Sequence, residues 1–184
     1  MHRLLVPLFL LLSTAAGCAP KQPPRWAEGG ATLALGRARW ERPSDTTVDL
    51  LPDGRVLVDG DHLWTIDTAG RVFLPGNDPV AVLGEDGLLI GPDDERLGTV
   101  GVDYALPPLE PSAWLRLQPD GQVLRARPGD AGAFPAGKWH GCAGPVQRTC
   151  TLVTQLLAVQ EQRSRPRVGV GVGFGIGFGF GGRR

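Results

Sequence analysis

The chain is poor in several residue types, and each shortage excludes something. It has 184 residues with only three cysteines, one methionine and one tyrosine. A single Met leaves no material for a Met-rich binding groove. Lysine stands only at Lys21 and Lys138, and every other basic residue is Arg. His62 and His140 are the only histidines beyond the first two positions. No Ser, His and acidic residue fall in a nucleophile motif, and no glycine pattern opens a helix as a phosphate cradle would. Asp93-Asp94-Glu95 lacks the loop spacing of a calcium site. The longest apolar run at the start, Leu4 to Leu12, falls far short of the roughly 20 residues of a spanning helix.

What is abundant is glycine and proline, 27 and 17 residues, roughly double their usual share. That composition argues against a helical bundle and for short strands joined by turns. The length suits one domain.

Residues 1–17 place a basic start (His2, Arg3) before an apolar run and then small residues, in the order of a secretory signal. Ala15-Ala16-Gly17-Cys18 follows. This run resembles the lipobox of bacterial lipoproteins, with Ala15 where Leu is commoner. The resemblance implies cleavage after Gly17, a diacylglycerol on the Cys18 thiol and a fatty-acylated, palmitate-type amino terminus. Ala19, in place of Asp, implies the outer membrane. Three acyl chains at about 0.8 kcal/mol per buried methylene would hold the protein on a membrane. The expected location is therefore the envelope, on the periplasmic face or the cell surface.

Lipidation would consume Cys18 and leave Cys142 and Cys150. An even remainder in an oxidising compartment suggests a disulfide between them. A metal reading would add His140 to the two sulfurs, but a fourth ligand at regular spacing is lacking. No metal, cofactor or catalytic residue is assigned.

Charge is split along the chain. Residues 18–134 are net acidic and residues 135–184 net basic, with Glu161 the one acid of the second part. An acidic β-rich part offers nothing to nucleic acid. The basic end suits either an anionic surface or plain solvent.

Residues 18–30 are Pro-rich and polar and read as a tether. Trp26 lies in it, a candidate for the membrane interface. A β-rich domain then covers 31–165, with Ala31–Trp40 as its first strand. Asp53-Gly54, Asp59-Gly60, Asp86-Gly87 and Asp120-Gly121 mark hairpin turns, since both residues tolerate positive φ. Between the turns lie short apolar runs: Val48–Leu51, Arg55–Val58, Leu63–Ile66, Arg71–Leu74, Val80–Leu83, Leu88–Ile90, Leu97–Val102, Ala113–Leu117 and Gln122–Ala126. They predict a mostly β fold, an antiparallel meander closed as a small barrel or folded as a sandwich. LLPDGRVLV at 50–58 echoes LQPDGQVLR at 117–125, at a spacing too irregular for a solenoid. Trp40, Trp64, Trp114 and Trp139 read as core residues, with sugar stacking as the alternative use.

Thr149 to Arg165 predicts one C-terminal helix, apolar on the face carrying Leu152, Val153, Leu156, Leu157 and Val159. The Gly-rich segment 166–184 alternates Gly with Val, Phe and Ile from Val168 to Phe180. Three readings stay open for it: a low-complexity tail, a strand on the protein's own sheet, or a self-associating or membrane-seeking strand. The functional expectation is a lipid-anchored envelope protein with a structural or protein-contact role and no catalysis. The alternative is an envelope module that binds cell-wall glycan or a small ligand.

Overall fold

The computed structural model describes residues 21–126 and 132–164. The signal segment, Cys18 and the Gly-rich segment lie outside the described residues. The described chain is an antiparallel meander of 12 strands closed into a barrel, with one helix. In order the strands are β1 (Ala38–Glu41), β2 (Thr47–Leu50), β3 (Arg55–Val58), β4 (Asp61–Ile66), β5 (Arg71–Phe73), β6 (Pro79–Leu83), β7 (Leu88–Ile90), β8 (Arg96–Val100), β9 (Tyr104–Leu106), β10 (Leu115–Leu117), β11 (Gln122–Ala126) and β12 (Ala133–His140). Each pairs with its sequence neighbour, and β1 closes the ring on β12 through Trp40 opposite Trp139. The helix α1 (Gln147–Ser164) follows.

Strand side chains alternate as the two-residue period requires. Val48, Leu50, Val56, Trp64, Ile66, Val72, Leu89, Val100 and Val123 point inward and are buried. Arg39, Asp49, Arg55, Arg71 and Arg116 occupy outward positions. Strands run from three to eight residues. A membrane-spanning strand needs about 9–11 residues and an apolar outer face. Among the described residues the strands are shorter than this and their outer face carries charged side chains.

The helix does not lie on the barrel but in it. Every residue from Thr149 to Val159 is buried, so all sides of α1 meet the wall, not one apolar face as the sequence predicts. A helix covered all round must be uncharged all round, and residues 149–160 carry no charge. Leu152, Val153, Leu156 and Leu157 join the ring of inward strand residues in a single core.

One mouth of the barrel holds the turns after β2, β4, β6, β8 and β10. Here the repeat hidden in the echo becomes visible. The Gly carbonyls at 54, 70, 87 and 121 accept bonds of 2.7–2.9 Å from the amides of Ile66, Leu83, Val100 and Trp139. Asp103 fills the vacant step by accepting from Leu117 at 2.7 Å. The hairpin unit therefore recurs every 16 to 18 residues around the ring. The Asp-Gly turns are of two kinds. At Asp59-Gly60 both residues have positive φ (51° and 92°), as a two-residue primed turn requires. At 53-54, 86-87 and 120-121 only the glycine does. The aspartate instead accepts the backbone amide two residues on, at 3.0–3.2 Å.

Residues 31–37 are not part of the first strand. They cross this same mouth and close it. The Gly30, Ala31 and Leu33 amides donate to the Ala69, Leu83 and Thr68 carbonyls at 2.7, 2.7 and 3.0 Å. Ala31 and Leu33 are buried. The Cys142–Cys150 disulfide, Cα–Cα 6.1 Å, ties the end of β12 to the first turn of α1 beside them.

The segment read as a tether also touches the wall. Pro23 is buried, and Trp26 meets Phe73 edge-to-face at 4.8 Å. The chain is fixed to the barrel several residues before Ala31.

Candidate functional site

The opposite mouth, where α1 emerges, is the one built from side chains. Glu161 sits on the last exposed turns of the helix. Its Oε2 accepts from Arg125 Nη1 at 2.7 Å, and its Oε1 accepts from Arg42 Nη2. Burial pushes this carboxyl up, but the Arg125 hydrogen bond and the two guanidinium charges outweigh it and hold the group below its ordinary value. Each arginine also covers an indole: Arg42 lies 5.1 Å over Trp40 and Arg125 lies 5.4 Å over Trp114. Across the mouth, Arg163 pairs with Glu95.

Beside this clamp is a cleft of about 480 Å³ lined by Arg42, Asp59, Asp61, His62, Glu161 and Ser164, among others. It brings a histidine, carboxylates and a hydroxyl to one place, so their bonding decides what they can do. His62 Nε2 lies 3.0 Å from both the Trp64 carbonyl and Thr65 Oγ1. A carbonyl only accepts, so this nitrogen carries the proton and faces its own strand. Ser164 Oγ donates to the Gln160 carbonyl at 3.0 Å. The hydroxyl and the imidazole are thus each turned to backbone and do not form a nucleophile–base pair. A larger groove of about 1050 Å³ flanks the other side of α1, between Asp94–Arg96 and Pro107–Glu110.

His140 stands apart, on the outside of β12, with Nε2 3.5 Å from Glu41. Cys142 and Cys150 bond to each other, so the metal reading through His140 loses both sulfurs. Among the described residues, no group of three or more His, Cys, Asp or Glu is placed to hold a metal ion.

The four candidate sugar-stacking indoles all face the core, at 2–5% exposure. Trp40 and Trp139 stack on each other at 5.7 Å, and Trp139 and Trp114 donate to Thr154 and Gln155 of the helix at 3.0 and 2.7 Å. None of these four presents a face to a glycan.

Gln155 is the residue that sequence reasoning passed over. It is fully buried mid-helix, accepts from Trp114, and donates to the Leu97 and Leu106 carbonyls at 2.7 and 3.1 Å. Gly98 makes this possible: a Cβ there would lie 2.3 Å from Gln155 Nε2 and 2.2 Å from the Leu106 carbonyl. Thr149, Thr151 and Thr154 likewise spend their hydroxyls inside, on Ala34, Val102 and Cys150 carbonyls at 2.7–2.8 Å. A polar residue in the middle of an uncharged helical run was the available signal.

No family model, no curated protein and no solved structure matches this chain.

Proposed function

We propose that this chain is a lipid-anchored protein of the bacterial envelope, held at the outer membrane through Cys18, which acts by contact with an envelope partner and not by catalysis. The observation that carries the reading is the filled lumen. The helix occupies the space where a small barrel holds a ligand, and the side chains of its buried Thr149, Thr151, Thr154 and Gln155 are hydrogen-bonded inside. Action then belongs to the outer surface and the mouth where α1 emerges. The lipobox-like run before Cys18 and the disulfide both suit an exported protein. The glycan alternative loses its four indoles to the core and would need a different surface.

Replacing Cys18 with Ser tests the anchor. The expected result is loss of fatty-acid labelling, an uncleaved or mis-cleaved precursor and release from the membrane fraction. A mutant that still takes up labelled fatty acid and fractionates as before would refute the reading.

A further inference from the structure

We propose that the barrel stands on the bilayer with the mouth from which α1 emerges facing the lipid, and that the Pro107–Glu110 loop is part of its contact. The inference rests on acylation of Cys18 and adds a direction to it.

The anchor's position decides the orientation. Lys21 Nζ lies 2.9 Å from Asp93, on the turn between β7 and β8 at the rim of this mouth. Cys18 stands three residues earlier. Three residues reach at most about 10 Å, so the acyl chains attach close to this rim. There is little slack to relocate them. From Pro23 the chain is packed on the wall, Trp26 is held by Phe73, and by Gly30 it has reached the opposite mouth.

The second terminus agrees. Arg163 pairs with Glu95, two residues from the Asp93 that pairs with Lys21 on the same turn. The segment after Ser164, with its alternating Val and Phe, therefore departs from the same rim. The anchor cysteine and the Gly-rich segment thus both join the described chain on one side of the barrel.

The rim itself suits a shallow contact. Leu109 is 85% exposed, the most exposed large apolar side chain described, and Leu74 of the β5–β6 turn is 40% exposed. Asp93 and Glu95, which would resist approach to a headgroup layer, each carry a cationic partner. Lysine and arginine at these positions lower the cost of bringing the rim to the surface.

The test uses full-length lipidated protein with a single fluorophore at Leu109→Cys, at Leu74→Cys, or at Val102→Cys on the opposite mouth, where the side chain is 53% exposed. Cys142 and Cys150 are bridged and do not label. The proteins are bound to phosphatidylcholine vesicles carrying a headgroup nitroxide. Quenching at 109 and 74 should exceed that at 102 several-fold. Equal quenching at all three, or stronger quenching at 102, overturns the orientation. Flotation with the vesicles is read separately: protein that does not float removes the anchor and the orientation with it, whereas protein that floats with the wrong quenching order overturns the orientation alone.

Discussion

The two mouths of the barrel are closed by different physics. The mouth at the start of α1 is closed by backbone and covalent bonds: the 31–37 crossing, the Gly carbonyl ring and the disulfide. The mouth at the end of α1 is held by side-chain charge, with Glu161 between two arginines and the last helical turn exposed. Backbone bonds in a buried setting leave little room for change, because an unmet group costs its full desolvation. A half-exposed charge pair is weaker and tolerant. The comparison says that the first mouth is architecture and that the second is free to serve as a surface.

Two glycines of the same dipeptide give the sharpest contrast. At Gly54 an added Cβ would lie 1.9 Å from the Ile66 carbonyl, and φ is +85°. At Gly60, on the other mouth, φ is +92° but nothing lies within 4 Å. Gly54→Ala should cost about 4 kcal/mol or more, or prevent folding, since it adds a backbone clash to the strain. Gly60→Ala should cost roughly 1 kcal/mol of strain alone. Denaturant unfolding of both would break the comparison if the two costs came out equal.

Gln155→Ala comes next. It empties part of the core and leaves the Trp114 indole N–H and the Leu97 and Leu106 carbonyls without their partner. A loss of about 3–4 kcal/mol is expected in the same experiment. A loss below about 1 kcal/mol would mean that the helix is not seated there. Removing the bridge with Cys142→Ser and Cys150→Ser together should cost about 2–3 kcal/mol, because the closed loop is short. Thermal unfolding of the double variant against the oxidised wild type measures it.

At the other mouth the expected effects shrink. Glu161→Gln should cost about 1 kcal/mol at neutral pH. Its carboxyl is held low in the folded state, so the charge stabilises above the ordinary Glu range. That contribution is lost as pH falls through the folded value. The gap between wild type and Glu161→Gln should therefore be widest near pH 7 and close on acidification. A gap that widens in acid would contradict the assigned direction. Leu109→Ser is the smallest, within about 0.5 kcal/mol, because the side chain is almost wholly in solvent. A larger drop in melting temperature would show that the loop belongs to the core.

What the sequence made legible follows the same division between local and distant. Arg55–Val58, Leu88–Ile90 and Gln122–Ala126 are strands with the bounds that their period and flanking turns predict. The Asp-Gly turns and the buried tryptophans were readable for the same reason, since turn chemistry and large apolar side chains act locally. Tyr104–Leu106 was missed because three residues carry too little pattern. Ala31–Trp40 reads as a first strand because it is largely apolar, yet strand geometry starts only at Ala38, and residues 31–37 cross a mouth with Ala31 and Leu33 donating to the Leu83 and Thr68 carbonyls. Closure of β1 on β12 joins Trp40 to Trp139 across nearly the whole domain, and no short-range signal specifies it. Among the described strands, that closure also leaves no edge for one of the three readings of the Gly-rich segment, a strand on the protein's own sheet. The helix was legible as a helix. Its place inside the wall was written only in the absence of charge from 149 to 160.

Native-state hydrogen exchange tests the central claim most directly. If α1 threads the barrel, the amides of Val153–Val159 can open only when the wall opens. They should exchange as slowly as those of the paired strands, with the free energy of global unfolding, while Gln162–Ser164 exchange fast. Helix amides that exchange well ahead of intact, protected strands would place α1 outside the barrel and contradict the account.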